Sequence, residues 1–445
     1  MRRLASERRF PRALLGGVAL TALAVLAAPA LTQDNLLPDL FDDPPPAQAP
    51  AEPAPAPVPD AAPLQEFDEE FGAVERDVPP AAPVDALPAP VESRDDPLDG
   101  QRTLRAMNVA GPLTPARGGY GPRTFAGSNG PFMAVMMNRV DAPLASRWAH
   151  IVLRRALLSQ VPTPREIHDA DWIAARADLL TRMGEADGAK LLIANLPQDR
   201  FTPRLYAAAM NVNLAAADIP ALCPLAPTAQ GLSKDSIWPL AVAICAGFEG
   251  DDGSAATGFN KLRRDDSVNN FDLLLGERIA GQASGVGRAS NIDWGDTDRL
   301  TPFRFGMATA SGLELPESLW DTAPTAMRGW AFRSGNTPLA FRAQVAGPAA
   351  RIGIVSAAEL AALASLQADR VEDGAEPAAY VRNMRTAYAG RSAGERIDAM
   401  KEIWTEGAAA GDRMAALIAT APAAARIEPS SDLVEDAPAL IESML

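Results

Sequence analysis

Only two histidines, His150 and His168, occur in the 445 residues. Ser-His and Cys-His schemes and most zinc sites use an imidazole as base or ligand, so this chain has little from which to build them. Both histidines are read as surface or helix-face residues. There is no Gly-x-x-x-x-Gly-Lys-Ser/Thr phosphate loop and no Gly-x-Ser-x-Gly elbow. Gly285-Val286-Gly287 follows a helical pattern instead of a strand, which makes it a turn and not a dinucleotide fingerprint. No catalytic, cofactor-binding or metal residue is therefore assigned.

Long apolar runs are also scarce. The longest, Ala13 to Ala28, is about 18 residues at most, short of the roughly 20 that a spanning helix needs. It follows Arg2, Arg3, Arg8, Arg9 and Arg12 and ends at Ala28-Pro29-Ala30, the pattern of a cleaved export signal over residues 1–30. An uncleaved membrane anchor is the alternative. Export places the protein in the periplasm or outside the cell.

Basic charge is lacking as well. The formal charge is −15, and residues 34–100 alone hold 17 acidic and 2 basic side chains, a local balance of −15. The signal contributes +4, leaving about −4 for the remainder. A near-neutral body without a basic stripe argues against nucleic-acid binding, whose affinity comes from neutralising phosphates. The acidic segment is repelled by anionic lipid surfaces, so no direct membrane binding is expected unless the signal stays uncleaved.

What is present begins with residues 31–100, a Pro-rich, Ala-rich acidic linker with too little apolar surface to offset the entropy of ordering. It reads as a disordered, self-repelling tether. Within it, Leu36-Leu37-Pro38-Asp39-Leu40-Phe41 and Leu64-Gln65-Glu66-Phe67-Asp68-Glu69-Glu70-Phe71 are apolar-acidic islands, read either as short docking motifs or as chance clusters. Residues 101–138 hold six glycines, marking irregular backbone, and carry Tyr120, Phe125, Phe132 and Met133 to pack as an ordered lead-in to the body.

Helical periodicity starts near Pro143, placed at a helix start, and continues through residues 139–290. Here Gly184-Glu185, Ala217-Asp218 and Gly250-Asp251 recur at 33-residue intervals, close to the period of two-helix repeats. In that register Trp172, Leu205, Trp238 and Phe271 form one column. Ala189 and Ala255, five positions after the glycine, allow a second helix to approach the first closely. The fold class is thus all-α, a two-helix-repeat solenoid. Pro220, Pro224 and Pro227 should shorten or break the second half of the middle unit, because an interior helical proline costs about 3 kcal/mol. The fourth unit degrades, with Arg278, Ser284 and Arg288 where earlier units have Leu179, Glu185 and Ala189. Further helical patterns fill residues 291–445, near 322–334, 337–350, 356–370, 375–389 and 393–410, and Gly411-Asp412 opens another turn of the same kind.

The two cysteines, Cys223 and Cys245, fall in the second half of one unit and the first helix of the next. In an exported chain an even count favours a disulfide joining consecutive units; two buried thiols are the alternative.

Gly184-Glu185-Ala186-Asp187-Gly188-Ala189 and Gly250-Asp251-Asp252-Gly253-Ser254-Ala255 resemble the turn of the tetratricopeptide repeat, over roughly 100 of 445 residues. Trp-to-Gly spacing is one residue longer than in that family, and its first-helix glycine and tyrosine are absent. Gly111 to Ser159, with Gly118-Gly119-Tyr120-Gly121, Asp141-Ala142-Pro143-Leu144 and Ser146-Arg147-Trp148, resembles a group of uncharacterised exported proteins of Gram-negative bacteria. That resemblance implies an envelope location and no chemistry. Glu317-Ser318 is similar to the start of the lytic transglycosylase motif, which implies a carboxylic acid acting on peptidoglycan, but the usual continuation is missing and a helix start reads equally well. Asp293, Asp296 and Asp298 lack the glycine and closing Glu of a calcium loop and read as a solvated turn.

These readings converge on a non-catalytic scaffold of the cell envelope, binding a protein or peptide in the concave face of its helices. The alternative is a divergent cell-wall lytic enzyme or its non-catalytic helical relative.

Overall fold

The computed structural model describes residues 104–285, 292–371 and 376–444. The expected signal and acidic linker lie outside the described residues, as does Arg288. Eighteen α-helices make up the described body: α1 Gly130–Arg139, α2 Arg147–Leu158, α3 Asp169–Arg182, α4 Ala186–Ile193, α5 Pro203–Ala215, α6 Ala226–Leu232, α7 Ile237–Phe248, α8 Asp252–Asp265, α9 Asn270–Ser284, α10 Pro302–Ala310, α11 Glu317–Trp320, α12 Thr325–Arg333, α13 Leu339–Arg351, α14 Ala357–Asp369, α15 Ala379–Ala389, α16 Ala393–Ala409, α17 Arg413–Ala424 and α18 Ala437–Met444. Among the described residues, extended pairing is confined to the isolated bridges Leu113–Ser159 and Asn129–Arg165.

One turn is used repeatedly. At the C-terminal ends of α3, α5, α7, α10, α13 and α16 the chain passes through Gly184, Ala217, Gly250, Gly312, Gly353 and Gly411, all at positive φ. In each, that residue's N–H donates to the carbonyl three positions back and the next N–H to the carbonyl five positions back, as Gly184 to Thr181 and Glu185 to Leu180. This is the Schellman ending, which satisfies two orphan carbonyls and requires a left-handed residue. The 33-residue spacing is therefore the spacing of a backbone requirement. Ala217 meets it at φ 52° despite its Cβ.

Helices pack in pairs with a repeating pattern. α3 packs on α4 and α5, and α7 packs on α8 and α9. Trp172, Leu205, Trp238 and Phe271 are all buried near the starts of α3, α5, α7 and α9. The three aromatic column residues each meet an aromatic neighbour: Phe125 meets Trp172 edge-on at 5.1 Å, Tyr206 meets Trp238 edge-on at 6.1 Å, and Phe271 meets Trp294 at 5.1 Å. Ala189 and Ala255 are buried against their partner helices.

The array departs from a simple solenoid at its fourth unit. α9 runs to Ser284 and caps at Gly285, two residues beyond the register, and α10 then folds back to pack on both α9 and α5. A Cβ at Gly306 would lie 2.7 Å from the Leu214 carbonyl oxygen, so glycine is what lets α10 approach α5 this closely. Residues 325–444 form further helical layers, with α12 on α13, α14 on α15 and α17, and α16, α17 and α18 in sequence. A shared core there includes Val345, Leu360, Met400, Ile403 and Leu417.

Two expectations near the start are corrected. The lead-in contains a helix, α1, whose N-cap Asn129 accepts from the Phe132 N–H. α2 starts four residues after Pro143, because Ser146 supplies the cap by accepting from the Ala149 N–H. The lead-in is anchored by Arg176, fully buried in α3, which donates to the carbonyls of Ala110, Leu157 and Ser159 at 2.8–2.9 Å. Burial pushes this guanidinium down to about 9, still a cation at neutral pH.

Candidate functional site: a cleft where the repeat breaks

Prolines decide the shape of the middle unit. Instead of a second helix it has a 3-10 turn, Pro220–Leu222, followed by the seven-residue α6. The missing length leaves a cleft of about 560 Å³ between α4, α5 and the 3-10 turn Gln198–Arg200. Ile193, Leu196, Phe201, Ala209 and Leu225 give it apolar walls; Asn213, Lys190 and Asp199 add polar groups. Asn213 is buried and donates to the Ala209 carbonyl within α5.

The frame of the cleft is held from several directions. Tyr206 Oη donates to the Gln198 carbonyl at 3.1 Å, fixing one wall to α5. Lys190 of α4 pairs with Asp218 in the turn after α5, and Asp218 also accepts from the Ala221 N–H at 3.3 Å. Arg105 covers the C-terminal end of α4 by donating to the carbonyls of Leu191, Leu192 and Ala194, and Leu104 adds to the lining. Burial lowers the Arg105 guanidinium. A disulfide between Cys223 and Cys245 joins the broken half-unit to α7. The cleft is thus an open surface with apolar walls and several fixed polar groups, the composition of a ligand-binding seat. It lies between a second helix and the break, whereas the column residues of the first helices are consumed by packing.

A second polar feature is the junction at Glu185. In the later units the acid after the left-handed residue caps the next helix: Asp251 accepts from the Ser254 N–H at 2.9 Å. In the first unit the longer Glu185 makes no cap bond and projects into the interior, where it is fully buried. Its Oε1 lies 3.1 Å from His150 Nε2 on α2, and its Oε2 lies 2.9 Å from Arg154 Nε and 3.4 Å from Arg333 Nη2. Arg333, at the end of α12, also pairs with Glu359 at 2.7 Å. Burial raises the Glu359 carboxyl, but Arg333, the hydrogen bonds from Ser356 and the charge of Arg154 outweigh it and hold the group below its usual range. His150 Nδ1 is buried without a hydrogen-bond partner among the described residues. The arrangement ties α2, α4, α12 and α14 together through shared ion pairs.

His150 sits on a helix, as one of the two expectations had it, but on the inward face of α2, where it is completely buried because its partner Glu185, 35 residues away, supplies the acceptor. His168 is exposed and caps α3 through Nδ1, which accepts from the Ala170 N–H. Glu317 is exposed in the first turn of the four-residue α11 and lines neither described cavity. Asp293 accepts from the Gly295 N–H as the cap of the 3-10 turn Trp294–Asp296. Among the described residues no three His, Cys, Asp or Glu gather as metal ligands, and no helix is long and apolar enough to cross a membrane. Another cavity, about 470 Å³ between α14 and α15, is lined by five alanines with Val381, Met384 and Tyr388 among others.

The near-neutral balance of the body conceals a local excess. Residues 104–165 hold eight arginines, no lysine and a single acid, Asp141. A windowed charge count would have found it in the sequence; averaging over the whole body erased it. Compared with known proteins, the chain matches no family model, no curated protein and no solved structure.

Proposed function

We propose that the protein is an exported helical-repeat scaffold of the cell envelope that holds a protein or peptide partner in the cleft at the broken repeat. The observation that carries this reading is the cleft itself, an open apolar seat framed by a disulfide, an ion pair and a tyrosine bond. The arginine-rich export signal and the disulfide favour the envelope.

The test places a photo-crosslinking amino acid at Asn195 or Gln198, both exposed beside the cleft, and at Lys261 on α8 as a control. Irradiation of envelope fractions should give one adduct of defined mass from the cleft positions, lost when Ile193→Arg fills the seat. Equal labelling from Lys261, or retention of peptidoglycan alone, would end the reading.

A further inference from the structure

The arginine excess has a specific surface. Arg117, Arg123, Arg139, Arg155 and Arg165 are exposed, and none lies within ion-pair distance of a carboxylate among the described residues. On α2, Trp148 (61 % exposed), Val152 (53 %) and Arg155 stand at i, i+4 and i+7, one face of the helix. Arg117 belongs to the turn that closes against that face, since a Cβ at Gly118 would lie 3.0 Å from Arg155 Nη2. Of the seven tryptophans, five are buried and Trp294 is half-buried, leaving Trp148 alone in solvent. An exposed tryptophan flanked by arginines has the residue types that dominate binding hot spots.

Its complement lies upstream in the same chain. Residues 34–100 carry 17 acids against 2 bases, and within them Leu64, Phe67 and Phe71 stand at i, i+3 and i+7 among Glu66, Asp68, Glu69 and Glu70. That is the anchor spacing of a segment that lays an apolar side onto a helix surface. The 33 residues from Phe71 to Leu104 span up to about 110 Å when extended, far more than the roughly 18 Å length of a helix such as α2. We infer that the α2 face seats this chain's own Leu64–Phe71 segment, with the three apolar side chains against Trp148 and Val152 and the carboxylates facing Arg155 and Arg117. This surface shares no residue with the cleft, so the inference stands apart from the scaffold reading.

The test is acrylamide quenching of Trp148 in the full chain, isolated by subtracting the spectrum of W148F. At low salt Trp148 is expected to be shielded and blue-shifted. Shielding should be lost in the L64A/F67A/F71A variant, whose changes lie outside the helical body, and at high salt, where the ion pairs are screened. R155E should lose it too, and E69R/E70R should restore it in the R155E background. Full quenching of Trp148 in the unchanged chain would overturn the inference. So would shielding that falls on dilution, which assigns the contact to a second copy, or shielding that requires an added single-stranded oligonucleotide.

Discussion

The turns at Gly184-Glu185 and Gly250-Asp251 have the same hydrogen bonds and nearly the same φ, 88° and 78°, yet they live in different surroundings. A Cβ at Gly184 would meet Ile354 Cδ1 at 2.6 Å, while one at Gly250 would meet nothing within 4 Å. Glu185 is fully buried among cations from α2 and α12, whereas Asp251 is exposed and caps α8. The first helix pair is thus locked by ions brought from distant sequence, and the later pair begins with α7, which is held by the disulfide to the preceding half-unit. A repeat register transmits a backbone; one methylene and the arrival of other helices decide what the turn does.

Breaking the ion junction should have the largest effect. Glu185→Ala removes the buried acceptor shared by His150, Arg154 and Arg333 and should cost about 3 kcal/mol in urea unfolding, whereas Asp251→Ala removes a surface cap and should give a clearly smaller midpoint shift. Replacing both cysteines by serine releases a 22-residue closure, for which chain entropy gives about 3 kcal/mol, measurable by the same titration. Gly184→Ala combines left-handed strain with displacement of the buried Ile354 and should cost about 2–4 kcal/mol, against about 1 kcal/mol for Gly250→Ala, where strain acts alone. Equal losses at the two glycines would dissolve the comparison.

The smallest effect is in the pH dependence. Hydrogen bonds from Ser254 hold the Asp251 carboxyl below its usual range, and the Glu359 carboxyl is held low by Arg333 despite burial. A folded carboxyl below its unfolded value stabilises fully above the unfolded value and loses that contribution as pH falls through the folded one. Glu359→Gln and Asp251→Asn should each flatten the acid limb of stability against pH, with little change in shape on the alkaline side.

Much of the backbone was legible because it rests on local rules. The left-handed position recurs at 184, 217 and 250, the three prolines break the middle unit, and the helices from 322 to 410 lie close to where periodicity placed them. The fold-back of α10 onto α5 was not legible, because it depends on Gly306 meeting Leu214, 92 residues away. The polar junction escaped for the same reason: Glu185 reads as one more acidic turn residue until Arg333 arrives from α12. The cleft was half legible, since prolines announce a broken helix but not the volume its absence leaves.

Linear repeat arrays exchange contacts only with their neighbours and can fray from either end. Here the Glu185 junction, together with the Trp330 Nε1 bond to the Thr181 carbonyl at 3.0 Å, fastens the first pair to a helix 149 residues downstream. Such a clasp closes a long loop before it rewards the chain, so folding should be slow and unfolding concerted over the loop it encloses. Amide exchange across α3 and α12 would then report one shared opening event, the signature of a closed ring and not of a stack of separable units.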